Sequence, residues 1–435
     1  MQAMQDSNIP WLGSVPSHWK RGKLKQYIFE ISEKNSPVKT TDILSLTNKL
    51  GVVPYEEKGN QGNTAKEKYD EYKLAYPDTI VANSMNILIG SVGYCAYFGC
   101  VSPVYYVFKN LKNGNLKYIN YIFQTTEFQK CLRQFSNGIL EIRQRVSAKT
   151  ILNQDFFFPT LDEQNKIVEY LDTKCAQIDT IIAKEQSVIE KLQEYRQSII
   201  TETVTKGLVS TINMVASNVE WIDKIPSDWK ITRFTKSFEF FKGLNIKKTD
   251  LVDSGAGVVS YGQVHAKNNN GYSLQDGLIR YVAENLIDEK SLLQEGDFVF
   301  ADTSEDFEGV GNCIYIDSSN EIYAGYHTLV ARCLDKSICT KYFAFLFLTD
   351  IWRSQLRKNA NGTKVYSVTQ KMFKAVSCLV PPIEEQLKIV AYLEKKCDAI
   401  DRVISQKLTI IDTLAEYKRS LIYEVVTGKK EVPHV

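Results

Sequence analysis

Residues 159–207 read PTLDEQNKIVEYLDTKCAQIDTIIAKEQSVIEKLQEYRQSIITETVTKG, and residues 381–429 read PPIEEQLKIVAYLEKKCDAIDRVISQKLTIIDTLAEYKRSLIYEVVTGK. Aligned without a gap, 22 of the 49 positions are identical, which marks an internal repeat. In the first copy the apolar positions Val168, Leu171, Cys175, Ile178, Ile182, Ile189, Leu192 and Ile199 advance by threes, fours or their sum. That spacing is a heptad seam on a long helix. The second copy repeats it at Val390, Leu393, Cys397, Ile400, Ile404, Ile411, Leu414 and Leu421. The polar interruptions also correspond, Glu185 with Lys407 and Arg196 with Lys418. So narrow a stripe favours helix against helix over two separate core helices, and a duplicated chain favours a pseudo-twofold, hence an antiparallel pair. From Val168 to Ile199 the helix spans about 50 Å at 1.5 Å per residue, enough to hold two groups one turn of B-DNA (about 34 Å) apart.

Signals at the helix ends agree with this reading. Thr160-x-x-Glu163 has the form of a capping box, whereas the second copy keeps Glu385 but has Pro382 in place of the threonine. Gly207 and Gly428 are placed to end the helices. A shorter repeat opens each half: Trp11-x4-Pro16-Ser17-x-Trp19-Lys20 returns as Trp221-x4-Pro226-Ser227-x-Trp229-Lys230. These four indoles are expected to pin each half onto its body or its helix rather than to stack on bases. Cys175 and Cys397 fall in the seam and are expected to be small apolar fillers, not a redox switch.

Residues 1–158 and 208–380 hold short strand-like runs broken by Gly, Asn, Asp and Pro, among them residues 79–82, 104–109, 297–301 and 329–332. Each is read as a compact mixed α/β body, followed by its spacer helix (159–207 and 381–435). The bodies are much less alike than the helices, as two different readers on one frame would be. Each contains an aromatic helix (118–135 and 342–357) leading into an Asn-Gly turn. A basic neighbourhood surrounds each turn: Lys130, Arg133, Asn137, Arg143, Arg145 and Lys149 against one acid, Glu141, in the first, and Arg353, Arg357, Lys358, Asn361, Lys364, Lys371 and Lys374 in the second. Between Arg353 and Lys374 the second contains no carboxylate, so we expect these groups to meet phosphates or base edges. Lys267, Asn268 and Asn269 form a polar loop expected to reach a groove. The seam residues proper are Leu171, Cys175, Ile178, Ile182, Ile189, Leu192, Leu393, Cys397, Ile400, Ile404, Ile411 and Leu414.

At 435 residues with a net charge of +2, the chain is ordinary in composition and does not announce nucleic acid by its overall field. No apolar run approaches the roughly 18 residues of a membrane span, and the nine cysteines show no C-x-x-C pair. Scattered thiols fit a reducing, cytoplasmic setting. No phosphate-binding G-x-x-x-x-G-K-[ST] or dinucleotide fingerprint occurs, and His18, His265, His327 and His434 form no triad or metal pattern. We therefore expect no catalysis and no metal on this chain.

The duplicated P-x-x-[DE]-Glu-Gln-x-Lys-Ile-Val-x-Tyr-Leu segments, running on to Glu-Tyr-[RK]-x-Ser, resemble the specificity subunit of type I restriction–modification systems. The opening Ile9-Pro10-Trp11 and Pro16-Ser17-His18-Trp19 fit it too, so the likeness covers essentially the whole chain. The resemblance implies two target recognition domains joined by an antiparallel coiled coil, each reading one half of a split site in double-stranded DNA. It implies two methyltransferase subunits as partners, with S-adenosylmethionine, and restriction subunits, with ATP and Mg; this chain itself would carry no cofactor. Rival readings are a coiled-coil scaffold without DNA specificity, and an enzyme, either a nuclease built on Asp78, Glu305 or Asp306 with a lysine or a fused methyltransferase.

Overall fold

The structure, a computed structural model, describes residues 3–47, 51–59, 65, 68–111, 114–136, 145–209, 213–335, 337–360, 362 and 365–433. The principal helices are α1 (Leu116–Gln124), α2 (Thr126–Arg133), α3 (Leu161–Lys206), α4 (Thr340–Phe347), α5 (Asp350–Arg357) and α6 (Ile383–Val426). The chain divides into two compact units, Met1–Gln186 with Leu408–Val435, and Ser187–Lys407. Each unit thus joins one body to the early part of one long helix and the late part of the other.

The first unit is built on strands β1 (Ile28–Ile31), β2 (Thr79–Asn83), β3 (Val92–Cys95) and β4 (Tyr105–Asn110), all antiparallel in the order β1-β4-β2-β3. The second unit repeats that order with β5 (Phe238–Lys242), β6 (Phe298–Ala301), β7 (Cys313–Tyr315) and β8 (Thr328–Cys333), arranged β5-β8-β6-β7. Alternate side chains of a strand face opposite ways, and both faces of these sheets are covered. Ile80, Ala82 and Phe108 join the core shared with the helices, while Val81 and Val107 join a second cluster with Leu44 and Cys95. Phe298 and Phe300 likewise meet the helices, and Val299 and Ala301 the opposite cluster. The second unit adds a four-stranded sheet with one parallel pairing, so the bodies diverge outside a shared frame.

Both aromatic helices are broken where one continuous helix was expected. Thr125 leaves the helical region (ψ 134°) and its hydroxyl donates to the Ile122 carbonyl at 2.8 Å, ending α1 before α2 begins. At the matching place, the Thr349 hydroxyl accepts from the Trp352 N–H (3.2 Å) and donates to Leu346 O (2.7 Å). A threonine side chain that satisfies backbone groups locally competes with helix continuation.

The seam is buried where a body covers it. Leu171, Cys175 and Ile178 lie in the core of the first unit with Leu421, Val425 and Val426, and Ile182 and Leu414 pack on its edge. Leu393, Cys397 and Ile400 are buried in the second unit, the first two in one core with Ile200 and Val204. Ile189 is buried, whereas Leu192, Ile404 and Ile411 are half-buried. Burial raises the pKa of the Cys175 thiol and lifts that of Cys397 to about 11, so both are neutral packing groups. In each unit the early half of one long helix lies beside the late half of the other, which is the antiparallel arrangement.

Candidate nucleic-acid interface and body–helix junctions

The same contacts hold body to helices in both units. The Trp19 indole N–H donates to Glu163 Oε1 at 2.9 Å, and that of Trp229 to Glu385 Oε2 at 2.9 Å. This explains why the second copy keeps its glutamate without a threonine three residues earlier. Only half the capping box forms: the Glu163 N–H donates to Thr160 Oγ1 (3.3 Å), but the carboxylate serves Trp19, with His18 Nε2 3.1 Å away. Gln164 and Gln386 each donate to the carbonyl of the proline five residues earlier and accept from the N–H of Asn115 and Cys339, respectively.

The buried tyrosines of α1 and α4 complete the far ends of the long helices. Tyr118 donates to the Val426 carbonyl at 2.8 Å and Tyr342 to that of Val204 at 3.1 Å. The last carbonyls of a helix have no intrahelical partner. For α6 all four are satisfied, because Tyr423, Glu424 and Val425 accept from the N–H groups of Thr427, Lys430 and Gly428. Gly207 (φ 81°) and Gly428 (φ 71°) make the left-handed turns that end α3 and α6, and a Cβ on Gly428 would collide with the Pro16 ring. Across the seam, Lys418 pairs with Asp179 (2.7 Å) in the first unit and Arg196 with Asp401 (2.6 Å) in the second. A shift of 222 positions maps one pair onto the other.

The basic side chains divide into two groups. In the first unit Lys130, Arg133, Arg145 and Lys149 are exposed, and among the described residues none has an ion-pair partner. Lys149 also borders a groove of about 580 Å³ with Arg21 and the exposed Phe135. In the second unit the expectation of an uncompensated cluster is corrected by tertiary structure. The Arg353 Nε donates to the Phe347 carbonyl at 2.8 Å. Arg357, only 11 % exposed, donates to Asp350 Oδ1 (2.9 Å) and to the Glu308 carbonyl (2.6 Å). Lys358, although exposed, pairs with Glu220 at 2.6 Å. Two of these partners, Glu220 and Glu308, are remote in sequence, and Asp350 lies three residues before Arg353. Asn269 is also a fold residue, since its amide donates to the Val264 and Cys313 carbonyls (2.8 and 3.0 Å) and its oxygen accepts from Gly271 N. Lys267, Asn268, Lys371 and Lys374 remain exposed. Asn137, Arg143, Asn361 and Lys364 lie outside the described residues.

The long helices also carry an exposed apolar stripe. The first unit leaves Leu161, Ile181, Ile410 and Tyr417 exposed; the second leaves Ile383, Val403, Val188 and Tyr195 exposed. The two sets are the same four positions of the repeat. The seven-residue steps 181, 188, 195 and 403, 410, 417 were legible in the sequence as an additional heptad stripe. Among the described residues no helix is long and apolar enough to cross a membrane, and no cluster of three or more His, Cys, Asp or Glu is placed to hold a metal ion.

The family described as "Type I restriction modification DNA specificity domain" matches residues 16–191 and 226–410, most of the chain. The specificity subunit of the type I restriction enzyme StySPI from Salmonella potsdam is 23% identical over 270 residues, 59% of this chain and 54% of that protein. The EcoKI specificity subunit of Escherichia coli (strain K12) is 24% identical over 281 residues, again 59% and 54%. The aligned region thus spans about half the length of these relatives. A chain from a structural study of complex assembly and conformational transition in the type I R-M system superposes with a TM-score of 0.69 at 11% identity, covering 96% of this chain and 99% of that one.

Proposed function

This chain belongs to the type I restriction–modification DNA specificity family, and on that premise we propose that it is the DNA-reading, non-catalytic subunit of such a complex. Each body reads one half of a bipartite duplex site, the paired helices fix the gap, and two methyltransferase subunits dock on the two matched apolar helix faces. The observation that carries this reading is the repetition of the body–helix junction: the same Trp–Glu, Gln–backbone, Tyr–carbonyl and Asp–cation contacts recur in both units. One chain so built presents two equivalent surfaces to two identical partners.

Affinity in this reading comes from exposed cations that neutralise phosphates, Lys130, Arg133, Arg145 and Lys149 in the first body and Lys267, Lys371 and Lys374 in the second. Asn268 and neighbouring polar side chains read base edges. Methylation takes place on the partner, which binds S-adenosylmethionine and receives a flipped adenine; restriction subunits supply ATP- and Mg-dependent cleavage.

The test is co-expression with a methyltransferase subunit and genome-wide mapping of methylated adenines. A split motif with a fixed gap is expected. Inserting one heptad at the middle of each long helix adds about 10 Å, or about three base pairs, to the gap and leaves both half-sites unchanged. An unchanged gap refutes the ruler. A stable complex that methylates nothing favours a scaffold without DNA specificity.

A further inference from the structure

Where their frames correspond, the two units differ beside the long helices. In the second unit the loop fixed by Asn269 and Asn270 brings Tyr272 against the helices. Its ring stacks on Phe345 with centroids 4.9 Å apart, its hydroxyl donates to Asp401 Oδ2 at 2.8 Å, and it is 5 % exposed. Lys341 Nζ lies 6.0 Å from the ring centroid. The shared bonds of Asn115 and Cys339 to Gln164 and Gln386 align α1 with α4. By that alignment Lys117, Asn120 and Tyr121 correspond to Lys341, Ala344 and Phe345. The long-helix repeat makes Asp179 and Lys418 the counterparts of Asp401 and Arg196.

At those positions the first unit has a cavity of about 320 Å³, bordered by Tyr94, Lys117, Asn120, Tyr121, Asp179 and Lys418. Asn120 is 9 % exposed and its Oδ1 has no hydrogen-bond partner among the described residues, a state that is costly for a buried acceptor. Asp179 is 57 % exposed, against 37 % for Asp401 under its phenol. Asp172, also on the rim, is met by Lys117 (2.9 Å) and the Tyr121 hydroxyl (2.7 Å), and Asp179 by Lys418 (2.7 Å), so the Asn120 oxygen is the acceptor that lacks a partner, and an aromatic ring that carries a donor would complete it beside the two lysines.

We propose that this cavity is a socket for a phenol, and that the phenol is a tyrosine side chain of a partner polypeptide docked on the helices of the first unit, where Ile181, Ile410 and Tyr417 are exposed. The socket stands on its own geometry; the identity of its occupant rests on the docking reading above. The second unit closes the equivalent place with its own Tyr272.

The probe is p-cresol, the tyrosine side chain without its backbone, titrated onto the full chain by saturation-transfer NMR. One saturable site is expected, lost in Ala176→Trp, which fills the cavity, and at least tenfold weaker for toluene, which has no hydroxyl. Tyr272→Ala is expected to raise the stoichiometry from one to two. Absence of a saturable site in the unaltered chain overturns the proposal, and so does p-cresol binding that survives Ala176→Trp. In the complex with a methyltransferase subunit, Ala176→Trp is expected to weaken one of the two docking events at least tenfold. Unchanged partner affinity overturns the tyrosine assignment while leaving docking on the helices intact. A p-cresol site in a chain that binds no partner instead removes the docking reading.

Discussion

Replacing Tyr118 by phenylalanine removes one oxygen and leaves the ring in place, so it isolates a single hydrogen bond at the end of α6. Tyr118 and Val426 are both 0 % exposed, and the hydroxyl donates to the Val426 carbonyl at 2.8 Å. Burial holds the phenol pKa well above its ordinary value, so the group is a neutral donor across the working pH range. The N–H groups of Thr427, Lys430 and Gly428 already serve the other three terminal carbonyls of α6, so none of these donors is free to compensate. A buried hydrogen bond contributes about 1 kcal/mol net, and a buried acceptor left without a partner costs about 1–3 kcal/mol. With both residues fully enclosed we expect a loss of about 2 kcal/mol, or about a 30-fold change in the local opening equilibrium. Hydrogen exchange read by mass spectrometry over the peptide covering residues 420–430 should accelerate by that factor. Tyr342→Phe should do the same to the end of α3 through Val204. Tyr195→Phe, exposed on α3, serves as a control that should change nothing. Exchange within twofold of the unaltered chain in both buried variants would refute the reasoning that these phenols complete the helix ends.

Charge exchange tests the antiparallel pairing. Arg196→Asp and Asp401→Arg should each lower stability by up to about 1 kcal/mol, since both groups are partly exposed, and the double variant should recover most of it by chemical denaturation. Lys149→Ala should weaken duplex binding by the assembled complex uniformly across sequences and reduce the salt slope by about one, whereas Arg357→Ala should lower the unfolding temperature because it removes a largely buried side chain that ties Asp350 to the Glu308 carbonyl. Burial pushes the thiols of Cys313 and Cys378 up to about 12 and that of Cys397 to about 11. The folded state therefore holds these protons more tightly than the unfolded one. Stability from this source is complete below about pH 9 and falls as pH rises from there through 11 to 12; denaturant midpoints between pH 8 and 10 check the sign, and a thiol reagent at pH 8 should reach these cysteines only after unfolding.

The duplicated frame was legible from residue spacing alone. A heptad seam recurs after 222 residues with its polar interruptions in place, and that register fixes which side chains of two long helices meet, because helix geometry turns spacing into a face. The four repeated tryptophans were also legible, since a large indole at a matched position has few uses other than anchoring. The purpose of Glu163 was not. A threonine and a glutamate three residues apart read as a cap, and only the tertiary fold brings Trp19 to that carboxylate from more than a hundred residues away. The basic clusters show the same limit. A run of lysines and arginines without a nearby acid in the chain describes local charge alone, and charge acts through space. Glu220, Glu308 and Asp350 turn Lys358 and Arg357 into paired or structural groups, while Lys130, Arg133 and Lys149 stay exposed and unpaired among the described residues. The difference between the units, one closed by Tyr272 and one open beside Asn120, likewise belongs to the tertiary structure, because the loop that carries Tyr272 lies in the divergent bodies, where no repeat in the sequence marks its counterpart.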